Sequence, residues 1–308
     1  MTRILSIGEC MVEFAPEASG LYRRGFAGDT FNTAWYLRQL VGKETAVAYY
    51  SAIGDDAASA EMAEFIRGSG IGFDPMIRPG ASVGLYMISL VEGERSFSYW
   101  RSASAARSMF DGTGTVAPEP LRALAAGDLL VFSGITVAIL LPETRAGFLD
   151  LVAEARGRGV TVAFDPNLRP RLWPSDDVMC DWISRAARRA DILLPSHEDE
   201  ARHFGDATPE ATAQRYIDAG AGIVVVKNGG GEVLIAPADA PLQRIQPEPV
   251  AQVVDSTAAG DAFNAGFLAQ WLGGASLSEA ARVGCRVSAQ VIGQRGALAR
   301  IDPLSVMG

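Results

Sequence analysis

Residues 255–263, Asp255-Ser256-Thr257-Ala258-Ala259-Gly260-Asp261-Ala262-Phe263, form a run of small residues between two apolar patterns. The preceding residues 250–254 are strand-like, and a helical apolar pattern continues to about Leu272. Small residues allow backbone N–H groups to converge on an anion at a helix start, where the helix dipole also favours negative charge. The sequence therefore predicts an anion-binding turn between a strand and a helix.

Asp261 falls in the first turn of this predicted helix. A carboxylate beside an anion-binding turn can accept the proton of a substrate hydroxyl group. Acidic residues are also common at helix starts simply because their charge complements the helix dipole. From these residues alone, both interpretations of Asp261 stay open.

Outside this segment, short β-rich runs alternate with helical patterns. Such alternation predicts an α/β protein with a doubly wound, mainly parallel sheet flanked by helices, because right-handed crossovers place helices on both faces. We expect residues 1–308 to form a single domain, since a sheet of this kind uses most of that length. The predicted strands are 4–7, 46–52, 129–133, 160–165, 192–195 and 223–227, and the predicted helices are 30–40, 142–158, 175–189 and 209–219.

One segment breaks the alternation, because the strand-like residues 85–91 and 95–100 are separated only by a short connection that contains Gly93. This pattern predicts a β-hairpin. A period of two residues places Phe97, Tyr99 and Arg101 on one face. We interpret the hairpin as part of a small lid over a ligand cleft, although a hairpin that only packs or dimerises is an alternative. The expected lid comprises residues of about 10–26 and 75–105.

The composition predicts a globular protein, because 48% of the 308 residues are apolar and 20% are charged. A formal net charge of -9 without a basic stripe argues against a nucleic-acid partner. The longest apolar stretch, 129–141, is shorter than the roughly 20 residues of a membrane span. We therefore expect no membrane partner and a cytoplasmic location. Three widely separated cysteines predict reduced thiols rather than disulfides or a zinc site.

Residues 255–263 resemble the C-terminal signature of the PfkB, or ribokinase-like, carbohydrate kinases, written D-T-x-G/A-A-G-D-x-F, with Ser256 where the family usually has Thr. The resemblance implies a ribokinase-like fold and ATP-dependent phosphorylation of a sugar. It also implies that Asp261 is the catalytic base. By the same resemblance, Ala258, Ala259 and Gly260 form the anion hole for the transferring phosphoryl group.

A second segment, Gly28-Asp29-Thr30-Phe31-Asn32, resembles the 2-keto-3-deoxygluconate kinase branch of this family, where Asp replaces the second glycine of the usual pair. Residues 8–13, 99–101 and 165–173 are similar to the same branch. The last of these segments follows a predicted strand at its C-terminal end, where open α/β sheets bind ligands. A helix cap formed by Asp29 and Asn32 is an alternative that is compatible with sugar binding.

The resemblance implies a pocket for a sugar acid. A guanidinium group suits the carboxylate of such a substrate, so the two arginines of the set agree with this expectation. An ordinary ion pair is the alternative for either arginine. The substrate-binding residues implied are Gly28, Asp29, Asn32, Tyr86, Tyr99, Arg101, Arg169 and Asp261.

The nucleotide site is expected near residues 224–231, where a buried strand runs into Asn228 and three glycines. Glycines allow the backbone to approach a ligand closely, but they also suit a plain hairpin turn before a strand at 231–237. The sequence contains neither a P-loop motif nor a G-x-G-x-x-G fingerprint after the first strand. The resemblance implies ATP contacts from Asn167, Lys227, Gly229, Gly230, Ala258, Ala259 and Gly260.

The family's N-x-x-E element, which helps to organise Mg2+ through water, corresponds to residues 197–200. His197 occupies the usual Asn position, and Glu200 matches the acid. The alternative is an acidic helix start with Ser196 as its cap.

Together, these features predict a kinase that transfers phosphate from ATP, with Mg2+, to the C6 hydroxyl of 2-keto-3-deoxygluconate. A fructokinase, a ribokinase or another PfkB-type sugar or nucleoside kinase is the alternative within the family. A non-catalytic sugar sensor is the alternative outside enzymes. The exposed edge of the hairpin predicts a homo-oligomer formed through the lid.

Overall fold

The computed structural model of this protein describes residues 2–17, 20–91, 94–111, 117–250 and 252–307. Runs rich in β-branched and aromatic residues form strands, and the helical patterns between them form helices. The strands are β1 Arg3–Ile7, β2 Met11–Pro16, β3 Tyr22–Ala27, β4 Ala46–Tyr50, β5 Ala52–Ile53, β6 Gly72–Phe73, β7 Met76–Ile77, β8 Leu85–Val91, β9 Glu94–Trp100, β10 Leu129–Ser133, β11 Thr161–Asp165, β12 Ile192–Leu193, β13 Ile223–Val226, β14 Val233–Pro237 and β15 Gln243–Ile245. The α-helices are α1 Asp29–Leu40, α2 Ala57–Gly68, α3 Glu119–Arg122, α4 Gly134–Ile139, α5 Arg145–Gly157, α6 Asp176–Ala187, α7 His197–Phe204, α8 Pro209–Asp218, α9 Ala259–Leu272, α10 Leu277–Ile292 and α11 Pro303–Met307.

A large sheet runs through the molecule in the order β15-β14-β13-β12-β11-β10-β1-β4-β6. Neighbouring strands of this sheet are parallel from β6 to β13. Strands β14 and β15 extend the sheet in antiparallel pairs. The carboxyl ends of the parallel strands therefore meet at one edge, where open α/β sheets bind ligands. This topology confirms the predicted doubly wound, mainly parallel sheet.

Successive residues of each strand point to opposite faces of the sheet, and each face has its own hydrophobic core. In β1, Ile4 packs into one core and Leu5 into the other. The first core includes side chains from α1, α9 and α10, and the second includes side chains from α5, α6 and α8. Helices therefore cover both faces, as the alternation of patterns predicted.

A second sheet, in the order β3-β2-β8-β9, stands apart from the large one and is called the small sheet below. Strands β8 and β9 are antiparallel, which confirms the predicted hairpin, while residues 92 and 93 of its connection lie outside the described residues. The predicted common face of the hairpin is also present. The Phe97 and Tyr99 rings stack 6.2 Å apart, and Arg101 lies 5.9 Å from the centre of the Tyr99 ring.

Two strand predictions were wrong in part. The predicted strand 46–52 is divided, because β4 ends at Tyr50 and β5 pairs instead with β7. Within the described part of 250–254, the chain forms no strand. Val253 and Val254 are exposed by 60% and 41%, and the backbone of Val254 bonds to the carbonyl of Ile292 at the end of α10. Apolar residues alone do not make a strand where no neighbouring strand is in reach.

No helix in the described ranges has the length and apolar composition needed to cross a membrane.

Candidate active site

The small residues before α9 produce a tight entry into the helix. Ala258 precedes the helix in the left-handed conformation, with φ 62°, which few residues other than glycine adopt. The Ala259 N–H still bonds to the Ser256 carbonyl, and Ala262 N–H bonds to Ala258. The N–H groups of the first helical turn between them have no partner within a helix, so they are available to an anion. The turn before α9 thus has the backbone geometry that anion binding requires, and the binding itself stays a prediction.

Asp261 lies half-buried in this first turn, and Asn32 of α1 donates a hydrogen bond of 2.8 Å from Nδ2 to its Oδ2 atom. The N–H of Gly28 donates to the Asn32 amide oxygen at 3.3 Å, which orients the Asn32 side chain. The predicted sugar-binding segment and the predicted base are therefore in direct contact, although they are separated by more than 200 residues in the chain.

Burial, followed by the charges of Asp29 and Asp165, raises the pKa of Asp261 to about 7. The hydrogen bond from Asn32 and the positive charge of Lys227 oppose this rise. A carboxylate with a pKa near the working pH suits a general base, because it is partly deprotonated and still basic enough to take a proton.

Asp29, Asp165 and Asp261 line one small cavity at the carboxyl edge of the large sheet, together with Thr33 and Asn264. Asn167 connects two of these carboxylates, because its backbone N–H bonds to Asp165 at 3.1 Å and its Nδ2 bonds to Asp29 at 2.8 Å. Asn167 makes these two bonds with φ 35°, a region that Asn tolerates better than most residues. The side chain of Asn167 therefore joins the end of β11 to the start of α1.

Lys227 brings positive charge to this acidic cavity. Its Nζ atom lies 2.9 Å from Asp165 Oδ2 and 3.0 Å from Asn264 Oδ1, and Asn264 also donates to Asp165 at 2.6 Å. The same Nζ atom is 3.6 Å from the position that a Cβ atom would take on Gly260. The ammonium group and the N–H groups of the first α9 turn thus face the same small volume.

Gly28 meets a strict steric requirement at the start of α1, because a Cβ atom there would lie 2.0 Å from the Glu9 carbonyl oxygen. Position 29, the first residue of α1, carries the side chain of Asp29, so the structure does not require a second glycine there. The close approach brings the turn between β1 and β2 against the helix that carries Asn32.

Tyr86 and Tyr99 face each other across the small sheet, with ring centres 5.9 Å apart. Tyr86 is buried and donates to the Glu13 carboxylate, whereas Tyr99 is 48% exposed. A small apolar cluster that includes Tyr86 and Met11 packs against Ala258. The small sheet therefore contacts the entry of α9, beside Asp261.

Gly229 and Gly230 lie in the exposed turn of the antiparallel β13–β14 pair. Gly229 has φ 56°, and a Cβ atom at either position would meet no atom within 4 Å. The hairpin turn that the glycines suit is therefore present, and their contact with ATP stays a prediction.

Arg169 lies at the margin of the site. Its side chain is 50% exposed, its nearest carboxylate is that of Asp199 at 3.7 Å, and its Nη1 donates to the Leu168 carbonyl. The structure therefore brings Asn167 of the same segment into the acidic cavity but leaves Arg169 at its rim.

The geometry does not support the predicted position of Glu200 at a metal. Its side chain is fully buried, with one oxygen 2.6 Å from Arg215 and the other 2.9 Å from the Tyr216 hydroxyl. Burial raises the pKa of Glu200 to about 7, against the effect of Arg215. The direction of α7 turns Glu200 into the α7–α8 interface, so the neighbouring Asp199 is the acid that lies near Asp165.

The helix start at α7 also differs from its predicted cap, because the Ser196 side chain forms no capping bond. His197 contacts Thr212 at 3.3 Å instead of the acidic cavity. Within the described residues, no group of three or more His, Cys, Asp or Glu side chains is arranged to hold a metal ion.

Sequence reasoning missed the roles of Asp165 and Asn264. Asp165 was part of a recognised segment, and Asn264 stands three residues after Asp261 on the same helix face, which was the available signal. Neither signal identifies Lys227 as the residue that bonds to both Asp165 and Asn264. These contacts join the end of β11, the residue after β13 and α9, which are far apart in the sequence.

Residues 1–303 match the family described as pfkB family carbohydrate kinase, so the chain belongs to this family. Among the relatives, the 2-dehydro-3-deoxygluconokinase of Escherichia coli (strain K12) is 36% identical over 304 residues, covering 96% of each chain. A solved PfkB protein from Polaromonas sp. JS666 has a TM-score of 0.81 at 27% identity and covers 95% of this chain and 96% of that one.

The aminoimidazole riboside kinase from Salmonella enterica, solved with aminoimidazole riboside and an ATP analog, shares the fold with a TM-score of 0.83 at 23% identity. That match covers 99% of this chain and 98% of the other. The comparisons confirm the predicted class, an ATP-dependent carbohydrate kinase with the ribokinase-like fold.

Proposed function

We propose that this protein phosphorylates the C6 hydroxyl of 2-keto-3-deoxygluconate, which is also called 2-dehydro-3-deoxygluconate. The observation that carries the proposal is the position of Asp261, whose pKa is raised to about 7, in the first turn of α9 beside unpaired backbone N–H groups. Full-length similarity to 2-dehydro-3-deoxygluconokinases supports the choice of substrate within the family.

In the proposed reaction, Asp261 accepts the proton of the C6 hydroxyl as its oxygen attacks the γ-phosphorus of ATP. A bond forms between O6 and the γ-phosphorus, and the bond to the β–γ bridging oxygen breaks, so ADP leaves. The backbone N–H groups near Ala259 and Gly260 stabilise the transferring phosphoryl oxygens, and the ammonium group of Lys227 adds positive charge. The hydrogen bond from Asn32 holds the carboxylate in position.

When bound with ATP, Mg2+ would neutralise charge on the β- and γ-phosphates. Because Mg2+ keeps several water ligands and binds through one or two carboxylates plus phosphates, a site without a dedicated cage of side chains fits it. Asp165 and Asp199 are the carboxylates that would hold its water shell, since Asp165 lines the cavity and Asp199 is close enough for the charge of Asp165 to raise its pKa. Glu200 is instead fully buried at the α7–α8 interface, where it bonds to Arg215 and Tyr216.

Arg101, which directly follows β9 of the small sheet, is the proposed partner of the substrate carboxylate, with Tyr99 beside it. Arg169 at the rim would join after releasing Asp199, a partly exposed ion pair with an N–O distance of 3.7 Å that costs little to break. Gly28 and Asp29 would contact the sugar chain between these arginines and Asp261. The small sheet would act as a lid, because its apolar cluster already packs on Ala258. Dimerisation through this sheet and a cytoplasmic location remain predictions.

A coupled assay of ADP release tests the proposed function across 2-keto-3-deoxygluconate, its galactonate-derived epimer, fructose and ribose. We expect sugar-dependent ATP consumption to be fastest with the keto acids, and to be slow but measurable with fructose or ribose. Faster turnover of fructose or ribose would assign the protein to another branch of the family, and ATP consumption with none of the sugars would favour a sensor.

The same assay tests the carboxylate pocket. Replacing Arg169 by Lys should weaken use of the sugar acid more than use of any neutral sugar, because Lys loses the two-pronged guanidinium contact. Arg282→Lys is the matched control, since Arg282 forms only exposed contacts with Glu279 on α10. Equal losses for acidic and neutral sugars in Arg169→Lys would contradict the assignment.

A further inference from the structure

Glu9 is a buried carboxylate that the proposed reaction does not use. It lies between β1 and β2 and is only 2% exposed. One of its carboxylate oxygens accepts a hydrogen bond from Arg101 Nη2, and the other accepts one from the Ser104 hydroxyl. Arg101 and Ser104 are the two ends of one turn, in which the Ser104 N–H bonds to the Arg101 carbonyl. A single carboxylate therefore holds both ends of the turn that follows β9.

The surrounding backbone is shaped to admit this pair. A Cβ atom on Gly84 would lie 2.7 Å from a Glu9 carboxylate oxygen and 3.3 Å from the Arg101 Cβ atom, so a larger residue would displace them. The Glu9 carbonyl is the group that requires glycine at position 28. Glu9 thus connects Arg101 to the start of α1, and Gly28 and Asn32 continue the connection to Asp261.

The guanidinium of Arg101 is not fully used by these contacts. Its Nε atom is buried and has no acceptor among the described residues. A buried N–H without a partner is costly in a folded protein, and such groups are rare. A guanidinium carries five N–H donors, so Arg101 can bond to Glu9 and to a second carboxylate at the same time.

We propose that Glu9 is a positioning residue for the sugar acid: it fixes the Arg101 guanidinium, with Ser104 holding its other oxygen, so that the remaining donors of Arg101 receive the substrate carboxylate. The inference rests on the proposed function. Glu9 has no contact with the reacting C6 hydroxyl in this scheme and acts only through Arg101. An arginine side chain has many rotamers, so fixing one of them before the substrate arrives lowers the entropy cost of binding its carboxylate.

Glu9→Gln tests the proposal, because it removes the charge that holds Arg101 while keeping the size of the side chain. We expect KM for the sugar acid to rise about 10- to 100-fold, with kcat and KM for ATP changed less than about threefold, since binding and not chemistry is affected. Turnover of a neutral sugar should not change. The constants are measured with the full chain in the coupled assay, and binding of the sugar acid without ATP is measured by calorimetry.

A double-mutant cycle separates positioning from direct contact. Arg101→Met alone should raise KM for the sugar acid at least as much as Glu9→Gln does. Adding Glu9→Gln to Arg101→Met should raise this KM by less than about a further twofold. Ser104→Ala should raise KM for the sugar acid by about threefold and should add nothing in the Glu9→Gln background. Ser104→Ala in the Arg101→Met background carries the same test if Glu9→Gln yields no folded protein.

Asp206→Asn is the matched control, because Asp206 is also buried and paired with an arginine, at 2.7 Å from Arg215. It should lower the thermal midpoint without raising KM for the sugar acid. Additive losses in the cycle, an unchanged KM in Glu9→Gln, or an equal rise of KM in Asp206→Asn would overturn the positioning role while leaving the proposed function intact. A wild-type protein that neither binds nor phosphorylates sugar acids would overturn both.

Discussion

Two carboxylates of this protein, Asp261 and Glu200, share most of their local properties. Each lies in the first turn of a helix, and burial raises the pKa of each to about 7. Their surroundings differ. Asp261 lines a cavity and holds one bond to Asn32 through Oδ2, whereas both oxygens of Glu200 are bonded to Arg215 and Tyr216 in the interior.

The difference teaches that a perturbed pKa marks an unusual environment but does not by itself mark a base. A general base needs an accessible lone pair within hydrogen-bond reach of a substrate proton. Glu200 has none, so its shifted pKa reflects a structural ion pair, which also perturbs pKa values. Asp261 has both the shifted pKa and the access, and it lies beside N–H groups that can stabilise an anion.

The largest expected effect is that of Asp261→Asn. Loss of a general base typically lowers the rate by about 10^2 to 10^4, so kcat should fall by that factor while KM for ATP changes little. Steady-state kinetics with 2-keto-3-deoxygluconate measure it, and Glu200→Gln provides the matched control. Near-normal turnover in Asp261→Asn with intact binding would remove the distinction between the two carboxylates.

A smaller effect is expected from Lys227→Met. Loss of the ammonium group should lower kcat by about 10- to 100-fold, because the transferring phosphoryl oxygens lose one positive charge that stabilises them. Steady-state kinetics measure this effect.

The pH dependence of the reaction should also change. In the wild type, kcat/KM should rise with pH up to about 7, as Asp261 loses its proton. Since Lys227 lowers the pKa of Asp261, the variant should move this rise to higher pH.

Lys43→Met is the control for this prediction, because Lys43 is exposed and is the other lysine of the chain. It should leave the rate and the pH profile unchanged. An unshifted pH profile in Lys227→Met would show that Asp261 does not respond to this charge.

The smallest effect on rate is expected from Glu200→Gln, with kcat reduced by less than about threefold. Stability should respond instead. A carboxyl whose pKa is raised by folding stabilises the native state below its unfolded pKa, and this contribution is lost as pH rises to about 7. Gln does not titrate, so the variant does not lose stability in this way. The difference in thermal midpoint between the variant and the wild type should therefore shift in favour of the variant as the pH rises from 5 to 8.

Asp261→Asn should share this pH dependence of stability, since the pKa of Asp261 is raised in the same direction. The two variants would then differ only in rate, which is the sharpest form of the comparison. A tenfold loss of kcat in Glu200→Gln, together with a higher requirement for Mg2+, would instead restore the predicted metal role of Glu200.

Much of the fold could be predicted, because it depends on local patterns. The strands β1, β10, β11 and β13, the hairpin of β8 and β9, and the helices α1, α5, α6, α8 and α9 follow from periodicity. The failure at 250–254 has a physical cause, since Val253 and Val254 are exposed and bond to the end of α10 rather than to a strand. Strand formation needs a partner, and partners are chosen by the tertiary fold.

For the candidate site, the sequence identified residues whose chemistry is evident from their motif, such as Asp261, Asn32 and Asn167. It did not identify Asn264 or Glu9 as site residues, because each acts through a partner far away in the chain. Glu200 shows the opposite case, and its metal role stays a prediction. Its motif position suggested a metal role, but the rotation of α7 points the side chain into the interior.

By itself, the sequence determined the alternation of strands and helices, the turn of small residues that begins α9, and the family to which the chain belongs. These properties depend on side-chain size, backbone propensity and spacing, which are local. Only the tertiary structure decided which charges meet: Lys227 with Asp165, Arg101 with Glu9, and Arg215 with Glu200. Electrostatic energies depend on separation in space and on burial, and neither quantity can be read from positions along the chain.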